Sequence, residues 1–313
     1  DVSTAFLHAP MDVGKKVYVK LPTEIPAVMT EEIPEYMPGA IASANNALYG
    51  LKWSPRVYTK WFKSKAKKFG FEEASESILI RRDPSGEIDA ILIMYVDDLW
   101  AWGKHPMGIL YAIRKEVDMD PPELLSDGAP HTYVGQTVRI INETLIIDQT
   151  DYFQALECLT ELGDKGKRAL RRSDFSPPSL DESVNPSLVS QYQSWMGKLG
   201  WVCRTLPAYA FAFSFLSRFN TKPTDRLIDT LRRMIVHAQL HAKPLVFVRL
   251  LSVPLLRIWS DASFSLREYS AQIGFEIQLL EKDASLPSKE ECNTVFWKSR
   301  SLKVKVSSTT SAE

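Results

Sequence analysis

Three things are scarce in this chain. Cysteine occurs only at Cys158, Cys203 and Cys292 among 313 residues. An odd, widely spaced set makes neither a disulfide framework nor a zinc-ligand spacing, and it fits a reducing compartment. Long apolar runs are missing: none reaches the roughly 18 residues that a membrane span needs. Net charge is missing too, with 38 basic and 38 acidic side chains, so a polyanion would have to be met by local patches. There is no signal-peptide pattern and residue 1 is Asp rather than Met, so the chain reads as a piece of something longer. Its length allows one to three domains with a sizeable core.

What is present is concentrated in one stretch, I-D-A-I-L-I-M-Y-V-D-D-L-W-A-W-G, residues 88 to 103. A short run of β-branched and aromatic residues reads as buried strand rather than helix. Two adjacent carboxylates, Asp97 and Asp98, interrupt it. An unpaired buried carboxylate costs several kcal/mol or more, and two side by side also repel. A chain tolerates the pair if it sits at a hairpin turn and holds cations. The plain alternative is an ordinary Asp-Asp turn, though core strands on both sides would carry its charges deep into the protein.

Periodicity organises the rest. Residues 1 to 22 read as a strand, a turn around Pro10 to Gly14, and a second strand. Residues 23 to 46, rich in Pro and Glu, read as a long loop. Pro55 suits the first position of a helix capped by Ser54, with Val57, Trp61, Phe62, Ala66 and Phe69 on one face and Gly70 as the stop. Residues 77 to 82 and 87 to 96 flank D-P-S-G and make a hairpin. A helix fits 107 to 118, and two strands fit 132 to 148, T-Y-V-G-Q-T-V-R-I and T-L-I-I-D. The pattern turns helical from Asp151, with a stripe of Tyr152, Ala155, Leu156 and Leu159. A polar linker covers 163 to 186, and helices fit 187 to 204, 207 to 219 and 224 to 241. Strands return after Pro244. No internal repeat is visible. The fold class is α+β.

Asp1 also leads the segment D-V-S-T-A-F-L. Three carboxylates on neighbouring strand ends could hold two divalent cations, the apparatus of in-line phosphoryl transfer, and magnesium favours such hard oxygen ligands. They should then converge within about 4 to 6 Å.

Ordered motifs make this specific. D-V-S-T-A-F-L-H, A-L-Y-G-L-K-W-S-P-R and I-M-Y-V-D-D-L resemble the reverse transcriptase of copia-type LTR retrotransposon Pol polyproteins. Y-V-G-Q-T-V resembles the primer-grip strand. Y-Q-S-W-M-G-K-L-G-W-V-C-R-T-L-P and F-L-S-R-F resemble the helical region downstream. S-D-A-S, V-F-W-K-S-R-S-L and S-S-T-T-S-A-E resemble the ribonuclease H domain of the same polyprotein. The matches run through nearly the whole chain in family order.

The resemblance implies a polymerase palm in residues 1–150, an antiparallel sheet backed by helices with the fingers segment before Asp1 missing. It implies a helical thumb and connection in 151–245 and the N-terminal part of a ribonuclease H-like α/β domain in 246–313. Asp1, Asp97 and Asp98 would ligate two Mg²⁺, with Mn²⁺ as substitute. Phe6 would be the steric gate that excludes a ribonucleotide 2′-OH. Gly50, Lys52, Ser54, Pro55 and Arg56 would line the template and nucleotide site, and Tyr95 and Val96 would shape the floor beside the metals. Asp261 and Glu313 would hold ribonuclease H metals, a site left incomplete where the chain stops. Implied partners are an RNA template, a DNA primer, the RNA–DNA hybrid and dNTPs, with no membrane. The implied setting is intracellular, a cytoplasmic virus-like particle or the nucleus.

Departures from the family pattern are Trp53 for Gln, T-L-P-A-Y-A for T-R-P-D-I-A, Ser263 and Ser311 at usually acidic positions, and Ala9 and Pro10 in a usually Gly-containing turn. None removes a polymerase metal ligand. The rival readings are a catalytically dead relic or co-opted binding module, and a nuclease using Asp261 and Glu313 alone. Among other features, Lys60, Lys63, Lys65, Lys67 and Lys68 form a basic cluster that suits phosphates or is simply a solvated helix face. Arg168, Arg171 and Arg172 read as solubilising. His237 and His241 have a metal-ligand spacing but no evident third ligand. Trp100, Trp102, Trp195 and Trp201 read as core.

Overall fold

The computed structural model describes residues 2–11, 14, 16–25, 33, 36–156, 169–263, 271–281 and 292–302. It is a mixed α+β protein with several antiparallel sheets, as its fold class predicts. The chain divides into two compact units, residues 1–124 and 125–313. The expected boundaries at 150 and 245 both fall inside the second. No helix among the described residues is long and apolar enough to cross a membrane.

The first unit is built on a four-stranded antiparallel meander, β3 (Phe71–Ser75), β4 (Ile78–Arg82), β5 (Ile88–Tyr95) and β6 (Asp98–Gly103), each paired with the next. Alternation along β5 turns Ala90, Leu92 and Met94 inward. Against that face lie α1 (Ser54–Lys67) and α2 (Pro106–Arg114). Helix α1 buries Ser54, Tyr58, Phe62 and Ala66, one every turn, and Gly70 ends it at φ 82°. Each large apolar side chain buried here contributes about 1.5–3 kcal/mol. A separate ribbon pairs β1 (Val17–Lys20) with β2 (Ile41–Ala44).

Several expectations change. The segment read as a first strand contains a 3-10 turn at Ala5–His8, and the strand β2 lies in the stretch read as loop. Ser54 is not the helix cap: Trp53 occupies that position without a side-chain bond. The Ser54 hydroxyl instead donates to the Leu48 carbonyl at 2.6 Å. Trp100 and Trp102 lie opposite the core, paired with Ile93 and Ile91 on the sheet face that carries no helix, their rings 5.8 Å apart. Three lysines of the basic face are paired with two carboxylates: Lys63 with Glu73, and Lys65 and Lys68 both with Glu116. That favours a solvated face.

The second unit opens with β7 (His131–Tyr133), β8 (Gln136–Ile141) and β9 (Thr144–Asp148), joined later by β10 (Leu245–Phe247) in the order β10-β9-β8-β7. The run T-Y-V-G-Q-T-V-R-I is therefore two strands. Val134 and Gly135 turn it with positive φ at both positions, the pattern of a tight hairpin. After the short α3 (Thr150–Gln154), three helices carry the core: α4 (Val189–Val202), α5 (Ala210–Ser217) and α6 (Asp225–His241). Trp195 belongs to that core, and Trp201 is half-buried against Tyr152. Of the stripe expected after Asp151, Tyr152 and Leu156 pack on this core, and Leu159 lies outside the described residues.

Helix α6 shows why this unit holds. The Thr224 hydroxyl accepts the Leu227 amide as a cap, and Leu227, Leu231 and Ile235 are fully buried. Arg233, 3% exposed, meets Asp174 at 2.9 Å. Asp174 sits in a 3-10 turn, Arg172–Phe175, within the stretch expected to be a linker. A third sheet follows, β11 (Leu255–Ser263), β12 (Gln272–Leu280) and β13 (Asn293–Ser301), an antiparallel meander.

The Arg233–Asp174 pair is the weak point of the second unit. Asp174→Ala strands a buried guanidinium and lowers the unfolding free energy by about 3–5 kcal/mol. Asp229→Ala, which removes the half-exposed partner of the same Arg233, costs less than about 1 kcal/mol. Urea unfolding followed by circular dichroism measures both. Equal small losses would remove the pair's structural role.

Candidate active site

Strands β5 and β6 are joined by two residues, Val96 and Asp97, with Tyr95 opposite Asp98. Val96 has φ 56°, and Asp97 is not among the residues with positive φ. A positive φ at the first turn residue alone matches the type II′ hairpin, whose twist suits paired strands and whose usual residue there is glycine. A β-branched side chain in that region is strained by roughly 1–3 kcal/mol. Asp97 and Asp98 are half-buried beside this turn and Tyr95 is half-exposed. The charges are thus not carried deep, because the turn lies at the sheet's end.

The N-terminal strip is tied to this turn. The Val2 amide donates to the Asp97 carbonyl at 3.0 Å, and Val2 and Ala5 are buried. The Asn46 amide donates to Leu7 and the Ala47 N–H to Ala9, holding the strip along residues 45–47. Asp1 itself lies outside the described residues, as does Glu313.

Phe6 is half-buried and packs on Tyr49, ring centres 4.8 Å apart, and edge-on to Tyr58 at 6.0 Å. Tyr58 also contacts Trp61 and Phe62. Burial above all, then the Asp97 charge and Tyr49, push the Tyr58 phenol far above its usual range. Tyr58 of α1 shares a core cluster with Val2 and with Met94 of the hairpin. Gly50 has φ 90°, in the bend that carries Tyr49 back toward Phe6. Lys52, Pro55 and Arg56 are exposed beside that bend, whereas Ser54 is fully buried and serves the backbone. Tyr49 and Tyr58 were missed by sequence reasoning. The spacing of Tyr58 four residues after Ser54 and four before Phe62 was the available signal.

In the second unit, Asp261 is exposed on β11 and lines a cavity of about 530 Å³ with Phe211, Trp259, Glu276, Trp297 and Lys298. Glu276 stands opposite Trp259, a diagonal neighbour of Asp261 on the same sheet face. Glu276 was not anticipated. Its oxygen accepts from Thr294 and Gln278. His237 and His241 stand 4.7 Å apart between ring centres, with Tyr209 hydrogen-bonded to His237. Among the described residues no group of three metal-ligating side chains forms.

The hairpin's donor set, two hard carboxylates half-exposed at a rigid turn, suits Mg²⁺ or Mn²⁺ rather than a soft metal. Comparison with known proteins identifies the family. The family profile described as reverse transcriptase (RNA-dependent DNA polymerase) matches residues 1–166. A Saccharomyces cerevisiae protein named for transposon Ty5-1, YCL074W, is 26% identical over 313 residues, covering 97% of this chain and 92% of that protein. The retrovirus-related Pol polyproteins from transposons RE1 and RE2 of Arabidopsis thaliana are 22% and 21% identical over 94% of this chain. The chain spans 20% of the length of each.

The strained turn is directly measurable. Val96→Gly removes the steric conflict and adds some unfolded-chain entropy, for a net gain of about 1 kcal/mol in unfolding free energy. Chemical denaturation followed by tryptophan fluorescence reads it. A loss of stability would mean that Val96 contributes more by packing than it costs by strain.

Proposed function

The chain belongs to the reverse transcriptase (RNA-dependent DNA polymerase) family, as part of a copia-type retrotransposon Pol polyprotein, and on that premise we propose that its first unit carries the nucleotidyl-transfer site. Asp1, Asp97 and Asp98 are the carboxylates that hold two Mg²⁺, replaceable by Mn²⁺. The observation that carries this reading is the hydrogen bond from Val2, the residue next to Asp1, to the Asp97 carbonyl at 3.0 Å. It ties the first residues of the chain to the carboxylate turn. When bound, the cations make the primer 3′-hydroxyl a better nucleophile and neutralise charge on the triphosphate and leaving pyrophosphate.

The chain's own residues supply position. The rigid two-residue turn fixes both carboxylates relative to the sheet, so little ordering remains at reaction. Phe6, braced by Tyr49 and Tyr58, is the wall that excludes a ribonucleotide 2′-OH. Lys52 and Arg56, exposed beside the Gly50 bend, meet template or triphosphate phosphates. Tyr95 and Val96 form the floor. Residues 1–150 are read as palm, 151–245 as thumb and connection, and 246–313 as the start of a ribonuclease H-like domain. The antiparallel meander that opens that last stretch, with Asp261 on its first strand, supports the third assignment. The substrates of the reading are an RNA template, a DNA primer, dNTPs and the hybrid product.

Primer extension on poly(rA)/oligo(dT) with Mg²⁺ tests it. Asp97→Asn and Asp98→Asn keep shape and remove charge, and each lowers the rate about 100-fold or more, since metal stabilisation of the transition state amounts to several kcal/mol. Phe6→Ala raises ribonucleotide incorporation. Extension that survives Asp97→Asn sinks the assignment.

A further inference from the structure

Among the buried polar atoms that lack a hydrogen-bond partner, one lies beside the carboxylate turn. Tyr58 is fully buried, and its hydroxyl has no hydrogen-bond partner among the described residues. A hydroxyl buried without a partner costs about 1–3 kcal/mol. Phenylalanine would fill the same space between Phe6, Trp61 and Phe62 without that cost. Such a group calls for a reason. Two neighbours narrow it. The ring braces Phe6, and Tyr58 shares a buried cluster with Val2, whose amide donates to the Asp97 carbonyl at 3.0 Å.

We propose that Tyr58 is a positioning residue of the carboxylate site, its hydroxyl reserved for the Asp97 carboxylate or for the water shell of the cation that carboxylate holds. A phenol O–H donates to a carboxylate or accepts from a cation-bound water, and either bond orients the ligand. Helix α1 supplies the rigidity. Tyr58 lies one turn beyond Ser54, whose own hydroxyl is pinned to Leu48. The unmet hydroxyl is thus a stability cost kept for function, as at other sites where activity opposes stability. The inference rests on the reading of Asp97 as a cation ligand.

Tyr58→Phe separates the two roles. Thermal unfolding gives its stability, and electron paramagnetic resonance of free Mn²⁺ gives its affinity. The relevant binding is the portion that Asp97→Asn removes from the wild-type chain. The variant melts no lower than wild type, with a rise of roughly 2–4 °C, and binds that Mn²⁺ about 10-fold more weakly. Unchanged affinity overturns the positioning role and leaves the polymerase reading standing. A lowered melting temperature means that the hydroxyl serves packing or a structural bond, and also overturns it. If the wild-type chain shows no Mn²⁺ binding that Asp97→Asn removes, the cation reading itself falls, and this inference with it.

Discussion

Two like charges at the end of an apolar hairpin dominate the first unit. Strands β5 and β6 are apolar on both faces, so Asp97 and Asp98 can be tolerated only where the pairing ends and solvent or a cation is within reach. A two-residue turn supplies that place. It puts Asp97 in the turn and Asp98 on the first paired position of β6. The turn demands a positive φ that Val96 supplies at a cost. Around it the strip from Val2 to Ala9, the bend at Gly50 and the aromatic side of α1 are held by short backbone bonds and ring contacts. The site is thus assembled from terms that oppose stability: like charges, a strained residue and an unmet hydroxyl. The sheet and the two helices behind it offset them.

The second unit runs on the opposite balance. Its helices bury continuous apolar faces, Thr224 caps α6, and the unit encloses an ion pair whose two partners come from distant stretches of chain. Among the described residues of its helices none has a positive φ, and the strained Val134, at φ 48°, sits instead in the β7–β8 turn. Its third sheet differs again. Leu256, Ile258 and Phe296 are exposed on one face. The other face carries Asp261, Glu276, Trp259 and Trp297 beside an open cavity.

Much of this architecture was legible from period alone. The hairpin at D-P-S-G, the three long helices and the strands after Pro244 appear close to where alternation and helical spacing put them. The errors share a cause. Residues 41–44 are too short a strand to show a period, and they pair with residues 17–20 across a loop. Ser54 looked like a cap because its type suits one, but the carbonyl of Leu48 was nearer. Asp174 sits in a polar stretch whose composition said linker, and a buried arginine 59 residues away makes it structural. Trp100 and Trp102 are of a type that usually lies in a core, while only the packed structure says which sheet face the helices cover.

The sequence by itself determined the family, the order of the elements and the chemistry of the Y-V-D-D turn. These follow from residue types and near-neighbour spacing, which are local properties of the chain. The tertiary structure alone decided what stands around that turn. It brought Val2 to Asp97, Tyr58 and Tyr49 to Phe6, and Glu276 onto the face of Asp261. Contacts between residues far apart depend on register and on which face is buried. Those are settled by the packing of the whole unit rather than by any stretch within it.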